Sequence, residues 1–197
     1  MAKNATSEEI SFYRPEKRFI IPINEFHIPK KLLSEFKKGE YSFKINSQFS
    51  SVIENCALPR RNSNETWINK IIQDTYIKLN KEGFAKSIEC YLQKKLVAGL
   101  YGINIGGCFF GESMFSHIPN TSKLCLLFLI SILIKKNFYL LDSQFYNQHL
   151  LQFGAYEISD EKYQILLKEG RNRKCFFPKF FNFQKSVLIL QSLSHKS

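Results

Sequence analysis

Leu96-Val-Ala-Gly-Leu-Tyr-Gly-Ile-Asn-Ile-Gly-Gly-Cys-Phe-Phe-Gly-Glu-Ser-Met-Phe-Ser116 is the stretch whose reading decides the fold. Two apolar segments rich in strand formers (Val97, Leu100, Tyr101, Ile103, Ile105, Phe109, Phe110) flank Gly106-Gly107, a pair that tolerates the positive φ angles of a tight turn. The stretch therefore predicts a β-hairpin. Its second arm carries one acid, Glu112. A charge in such apolar surroundings is costly unless it is paired or hydrogen-bonded, so Glu112 is a site candidate. The alternative is an acid at the solvent-facing end of a strand.

Upstream of the hairpin, Phe84–Leu92 predicts a strand, joined to it through a turn at Gln93-Lys94-Lys95. Before that strand, Thr66 to about Gly83 carries a helical stripe of Trp67, Ile68, Ile71, Ile72, Thr75, Tyr76 and Leu79. Residues 47–56 place Phe49, Val52, Ile53 and Cys56 on one helical face, and 58–65, with Arg60 and Arg61, read as a polar loop. Tyr41–Ile45 alternates as a strand with Tyr41, Phe43 and Ile45 on one side. Residues 28–39 form a short helix with Pro29 in its first turn and Gly39 just past its end. Phe19–Ile23 is a short apolar segment stopped by Pro22, and residues 1–9 carry no apolar pattern.

Downstream, a loop at 117–123 precedes the apolar run Leu124–Lys135, too short to span a bilayer and suited to a buried helix. Phe138–Asp142 predicts a strand ending on a carboxylate, the end at which open α/β sheets place their sites. Gln144 follows two residues later and points to the same side if the chain stays extended. Phe145–Phe153 reads as a helix closed by Gly154, Ala155–Ile158 as a strand, and Asp160–Leu167 as a helix. The tail from Lys174 is aromatic, basic and weakly patterned.

This order, helix, helix, strand, hairpin, loop, helix, strand, helix, strand, is that of an acetyltransferase-like (GNAT) α/β (α+β) fold: a mixed, mostly antiparallel sheet flanked by helices. Such folds hold a cosubstrate in the splay after the central strand, at the N-terminus of the next helix. The 197 residues, 44% hydrophobic and 15% aromatic, suffice for one domain. Residues 19–197 are expected to form it, with 173–197 as a C-terminal tail and 1–18 as the remnant of a small N-terminal domain. Five scattered cysteines, with no C-x-x-C pair, favour reduced thiols in a cytosol over disulfides or zinc. The formal charge of +11 suits a phosphate-bearing partner, although Lys outnumbers Arg 22 to 6 and part of the excess follows an Ile-, Asn- and Phe-rich composition.

Several blocks resemble the leucyl/phenylalanyl-tRNA–protein transferase family, in register from about Tyr13 to Leu167: Val52-Ile-Glu-Asn-Cys-Ala57, Thr66-Trp-Ile68, Ser87-Ile-Glu89, Leu96–Gly102, Gly111-Glu-Ser-Met-Phe-Ser116, Leu141-Asp-Ser-Gln144, His149-Leu150 and Phe153-Gly-Ala155. The resemblance implies transfer of Leu, Phe or Met from aminoacyl-tRNA onto the N-terminal Arg or Lys of a protein, which marks it for N-degron degradation. It implies a cytoplasmic monomer that uses no cofactor, metal or membrane. Asp142 and Gln144 would be the catalytic pair, and Glu112 would join their polar network or meet the basic end of the acceptor. Trp67 would pack on the terminal adenosine. Leu100, Phe109, Leu129, Leu133 and Leu141 would line the aminoacyl pocket, and Ser113 would join them in binding substrate.

Two departures stand out. Members usually begin with a further segment, bearing a Gly-Gly-Asp motif and a Gly-Ile-Phe-Pro stretch, that gives the adenosine an aromatic contact; Met1-Ala2 corresponds to the residues after that Pro. The His usual before the Ser-x-Glu motif is Lys86.

Aminolysis of an ester runs downhill, so positioning supplies much of the catalysis, up to ~7–11 kcal/mol. The expected chemistry has the Gln144 carbonyl accepting an amine N–H while Asp142 fixes Gln144 and stabilises charge growing on the nitrogen. With only three Asp in the chain, Glu112, Asp142 and Glu89 are the acids available to a basic acceptor. Two rival functions share these features. An acyl-CoA-dependent N-acetyltransferase would need a glycine-rich phosphate loop before Leu124, and residues 117–123 hold no glycine. The other rival is a non-catalytic RNA-binding protein.

Overall fold

A computed structural model of the chain describes residues 1–59 and 66–194; the loop expected at 58–65, with Arg60 and Arg61, falls mostly outside them. Seven strands form one sheet: β1 (Lys17–Ile21), β2 (Ser42–Ile45), β3 (Ala85–Leu92), β4 (Lys95–Ile105), β5 (Cys108–Ser116), β6 (Leu140–Asp142) and β7 (Tyr156–Ser159). Their spatial order is β2-β3-β4-β5-β6-β1-β7, and only the β5–β6 pair is parallel. The mixed, mostly antiparallel sheet expected from the sequence is thus the one observed.

The helices are α1 (Lys30–Lys37), α2 (Phe49–Ala57), α3 (Lys70–Lys81), α4 (Thr121–Lys135), α5 (Gln148–Leu151), α6 (Asp160–Arg171) and α7 (Phe183–Ser194). α4 is apolar all round because it is buried all round, between β3–β5 on one side and α1 and α7 on the other. It connects β5 to β6, as the parallel pairing of those strands requires. On the opposite face α2 and α3 cover β3–β5 through Phe49, Val52, Ile53 and Ile72. Farther along that face α6 covers β1 and β6 through Tyr163, Ile20 and Leu140.

The hairpin forms as expected. Gly106 has φ 57°, and a Cβ on it would collide with the Arg171 carbonyl; the turn docks on the C-terminal end of α6, where the Gly107 N–H donates to Gly170 O at 2.8 Å. Hairpin and α6 therefore brace each other. Glycine at 106 serves both the turn and the close approach.

Four expectations differ from the structure. The helix expected from Thr66 begins at Lys70, because the Asn69 side chain accepts the Ile72 N–H at 2.8 Å and caps it there; Trp67 and Ile68 precede the helix. The helix expected over Phe145–Phe153 contracts to Gln148–Leu151, because Gln144 is left-handed (φ 70°) and redirects the chain. The apolar segment expected at Phe19–Ile23 supplies the last three residues of strand β1, which inserts between β6 and β7. The tail contains α7, whose Val187, Leu190 and Leu193 pack into the core beside α4 while Ser186 and Ser131 share a 2.6 Å hydrogen bond. Exposed Leu188 and half-buried Ile189 interrupt the apolar spacing there and hide the helix from a periodicity reading.

Candidate active site

The parallel ladder of β5 and β6 ends at Phe110–Asp142, while β5 runs on to Ser116. At that point β5 carries a bulge: Tyr101 pairs with Ser113 and Gly102 with Gly111, leaving Glu112 as the extra residue. A bulge re-aims its side chain, and this one turns Glu112 into the opening between the strands. Alternation along β6 then divides the neighbours, with Leu141 packed in the α4-side core and Asp142 bonded to α6 on the opposite side.

On the α4 side lies a cavity of about 290 Å3 lined by Leu100, Phe109, Leu129 and Leu141, with Ser113 and Glu112 at its polar end. Leu133, one helical turn beyond Leu129, is buried in the core and does not line it. Met114, Leu126, Leu150 and Phe153 line it as well, and sequence reading missed them. Met114 was within reach of an alternation argument, standing two residues after Glu112; Leu150 and Phe153 arrive from distant sequence. Ser122 and Lys123, in the first turn of α4, stand at the same cavity, behind Asn120 in a left-handed conformation (φ 68°).

Between α3 and the turn at Ser143–Phe145 the opposite face holds a second cavity, of about 580 Å3, lined by Trp67, Tyr76, Gln144 and Glu112 and rimmed by Phe12 and Tyr13. Gly111, Glu112 and Ser143 line both cavities. The N-terminal segment is tied to this rim: the Ala2 N–H donates to Trp67 O at 3.1 Å and Asn69 Nδ2 to Ser7 O at 2.6 Å.

Asp142 is fully buried. Its Oδ2 accepts from Arg18 Nη2 at 2.5 Å and from Tyr163 OH at 2.7 Å, and its Oδ1 accepts the Gln144 backbone N–H at 2.7 Å. Burial works against the Arg18 charge, but the hydrogen bond and charge of Asp142 outweigh it and leave the guanidinium pKa raised. Burial, then the Asp142 charge, pushes the Tyr163 phenol up, so it remains a donor. Gln144 Nε2 donates to Gly111 O at 3.1 Å, which leaves Oε1 as the carboxamide atom able to accept. Gln144 thus reaches the opening by a left-handed turn and not by the extended path expected.

Glu112 is pushed up to about 7, chiefly by burial; hydrogen bonds to Tyr76 and Gln144 pull the other way, and the Asp142 charge adds to the rise. A carboxyl poised near neutrality can both take and return a proton. Glu89, by contrast, is buried away from the opening: its oxygens accept the Gln48 N–H at 2.9 Å, Ser87 Oγ at 2.8 Å and Tyr91 OH at 3.1 Å. It holds the N-terminus of α2 and is not available to a basic acceptor.

Arg18 and Tyr163 are the polar residues sequence reading missed. Their one signal was compositional: Arg is rare in this Lys-rich chain, and Arg offers a planar fork where a carboxylate must be gripped. Among the described residues, no cluster of His, Cys, Asp and Glu could hold a metal, and no helix is long and apolar enough to cross a membrane.

A family described as leucyl/phenylalanyl-tRNA protein transferase matches residues 20–168. The leucyl/phenylalanyl-tRNA–protein transferase of Caulobacter vibrioides is 44% identical over 170 residues, 86% of this chain and 78% of that protein. The transferase of the same description from Hyphomonas neptunium is 42% identical over 168 residues, 85% of this chain and 65% of that one. Among solved structures, L-PGS from Bacillus licheniformis overlaps 90% of this chain and 64% of its own at 12% identity and a TM-score of 0.44, too loose a likeness to argue from. The matched span runs from within β1 into α6 and so contains the bulge, the first cavity and, of the second, Trp67, Tyr76, Glu112 and Gln144; by this match and these relatives the chain belongs to the leucyl/phenylalanyl-tRNA protein transferase family.

Proposed function

We propose that this protein transfers Leu, Phe or Met from aminoacyl-tRNA to the N-terminal Arg or Lys of an acceptor protein, marking it for degradation by an N-degron route in a reducing cytoplasm, as a monomer on an acetyltransferase-like sheet. Residues 19–197 act as the transferase domain, with Lys17 and Arg18 joining it through β1, and the residues before them form a smaller N-terminal unit that rims the second cavity. One observation carries the reading: a cavity lined mainly by aliphatic side chains and a wider one lined by Trp67, Tyr76 and Gln144 meet at Glu112. The first fits an aminoacyl side chain and excludes polar ones by desolvation. The second fits the terminal adenosine against Trp67 and the basic end of the acceptor against Glu112. The reacting ester then lies in the opening between β5 and β6.

In the proposed step the neutral acceptor amine, whose ordinary pKa of about 8 leaves a useful free fraction, attacks the ester carbonyl. Gln144 Oε1 accepts one amine N–H and orients the lone pair. The C–N bond forms, and the carbonyl electrons move to oxygen and return as the ribose C–O bond breaks. Ionised Glu112 takes the proton from the nitrogen and passes it to the leaving ribose oxygen, so that an amide and a free hydroxyl result and Glu112 is regenerated. Asp142 touches no substrate; it acts through Gln144. Exposed lysines contact the tRNA backbone, so affinity falls with salt.

Incubation with radiolabelled Leu-tRNA and a protein beginning with Arg tests the reading. Label that becomes resistant to hot acid is expected. Persistent absence of such label, or binding of coenzyme A in place of charged tRNA, would overturn it.

A further inference from the structure

Gln144 carries unusual conformational constraint. Its φ of 70° is left-handed, a region that costs a non-glycine residue about 1–3 kcal/mol and persists only where surroundings over-determine it. Here they do: its N–H is held by Asp142, its carbonyl by the Phe19 N–H at 3.2 Å, and its Nε2 by Gly111 O. Asp142 in turn is held at its other oxygen by Arg18 and Tyr163. These two come from β1 and α6, remote in sequence from each other and from β6, and the Arg18 guanidinium also lies 4.7 Å over the Tyr163 ring. Neither residue lines either cavity.

We propose that Arg18 and Tyr163 are positioning residues for transfer: together they lock the Asp142 carboxylate so that its Oδ1 keeps Gln144 in the left-handed turn and its carboxamide aimed at the opening beside Glu112. The inference rests on Gln144 being the group that meets the attacking amine. Arg18 supplies charge from a flat group that stacks on Tyr163, and Tyr163 supplies a directional O–H to the same carboxylate oxygen. A carboxylate gripped by one of them alone rotates, and the Gln144 N–H follows it. Displacement of a reacting group by about 1 Å costs on the order of 100-fold in rate.

Tyr163→Phe and Arg18→Lys test the clamp in the full chain. Expected are folded proteins whose kcat falls by about 10- to 100-fold with KM for aminoacyl-tRNA within about twofold, since the substrate cavities are untouched. In an Asp142→Asn background Tyr163→Phe should add less than about a twofold loss, because the carboxylate it positions is gone. The Gln144 backbone amide proton, moved downfield by its charge-assisted bond to Asp142, should move upfield in both single variants. Full kcat in folded variants, an equal loss in the Asp142→Asn background, or an unmoved Gln144 resonance would each overturn the clamp. If the unaltered chain transfers nothing, the proposed function fails, and the amide resonance alone then decides whether the clamp exists.

Discussion

The two sides of the β5–β6 opening are built from the same strands and differ in what lines them: aliphatic side chains on one, Trp67, Tyr76 and Gln144 on the other, with Glu112 common to both. Toward α4 the sheet presents Leu100, Phe109 and Leu141 to an apolar helix, giving a cavity lined mainly by hydrocarbon, with Glu112, Ser113, Ser122, Lys123 and Asp142 also on its wall. Toward α3 it presents Glu112, Gln144 and the phenol of Tyr76. The difference arises from strand alternation plus one bulge. It shows how an ester can be held with its side chain among aliphatic groups and its reacting atoms beside Glu112, where the two cavities meet.

The largest test of this division is Glu112→Gln. Removing the group that moves the proton should lower transfer by about 100- to 10,000-fold and flatten the pH–rate limb near 7, as stopped-time assays from pH 5.5 to 8.5 would show. The same substitution has a stability signature of definite sign. The folded carboxyl titrates at about 7 against an ordinary 4.5, so the folded state binds more protons between those values and stability falls as pH rises through them. Glu112→Gln should remove that fall, worth roughly 3 kcal/mol, so denaturant titrations should show it more stable than the parent at pH 8 and little changed at pH 4. A variant losing activity without this pH signature would place Glu112 elsewhere than in the buried opening.

Gln144→Ala comes next. It leaves the proton carrier and removes the orienting acceptor, so kcat should drop about 100-fold with a small effect on KM. Trp67→Ala acts on the same side but on binding: loss of a base-stacking surface is worth ~1–3 kcal/mol, read as a KM for aminoacyl-tRNA raised roughly tenfold or more. The smallest effect on rate should come from the apolar side. Leu129→Ala enlarges the cavity and should shift preference toward Phe over Leu by about tenfold in competition assays, because apolar pockets discriminate by only ~1–3 kcal/mol. It should also cost about 2–5 kcal/mol of stability, since Leu129 is part of the α4 core. A polar-side variant that altered amino-acid preference, or Leu129→Ala altering the pH profile, would break the division.

Much of the fold was legible because its signals are local. The hairpin is written in Gly106-Gly107 and its strand formers, α2 in the spacing of Phe49, Val52, Ile53 and Cys56, and α4 in an unbroken apolar run too short for a membrane. Those periodicities are set by the geometry of helix and strand, so they survive without tertiary context. Glu112 was conspicuous for the same reason, as an acid among apolar neighbours. The family resemblance singled out Asp142 and Gln144, but an extended path misplaced the route by which Gln144 reaches the opening. Its left-handed turn depends on a hydrogen bond donated to Asp142 and one accepted from Phe19, and nothing near residue 144 announces the second.

What the sequence by itself determined, then, is a mixed α/β sheet built on one hairpin, a buried helix after it, and a short set of polar residues standing where apolar ones would be expected. Tertiary structure decided the rest. It made Phe19–Ile21 an inner strand, recruited the tail as α7, withdrew Glu89 into the support of α2, and left Leu133 in the core. It also gave Asp142 two keepers, Arg18 and Tyr163, drawn from β1 and α6. The physical reason is that a buried charge is tolerable only where donors converge on it, and convergence is a property of packed elements, not of neighbouring residues.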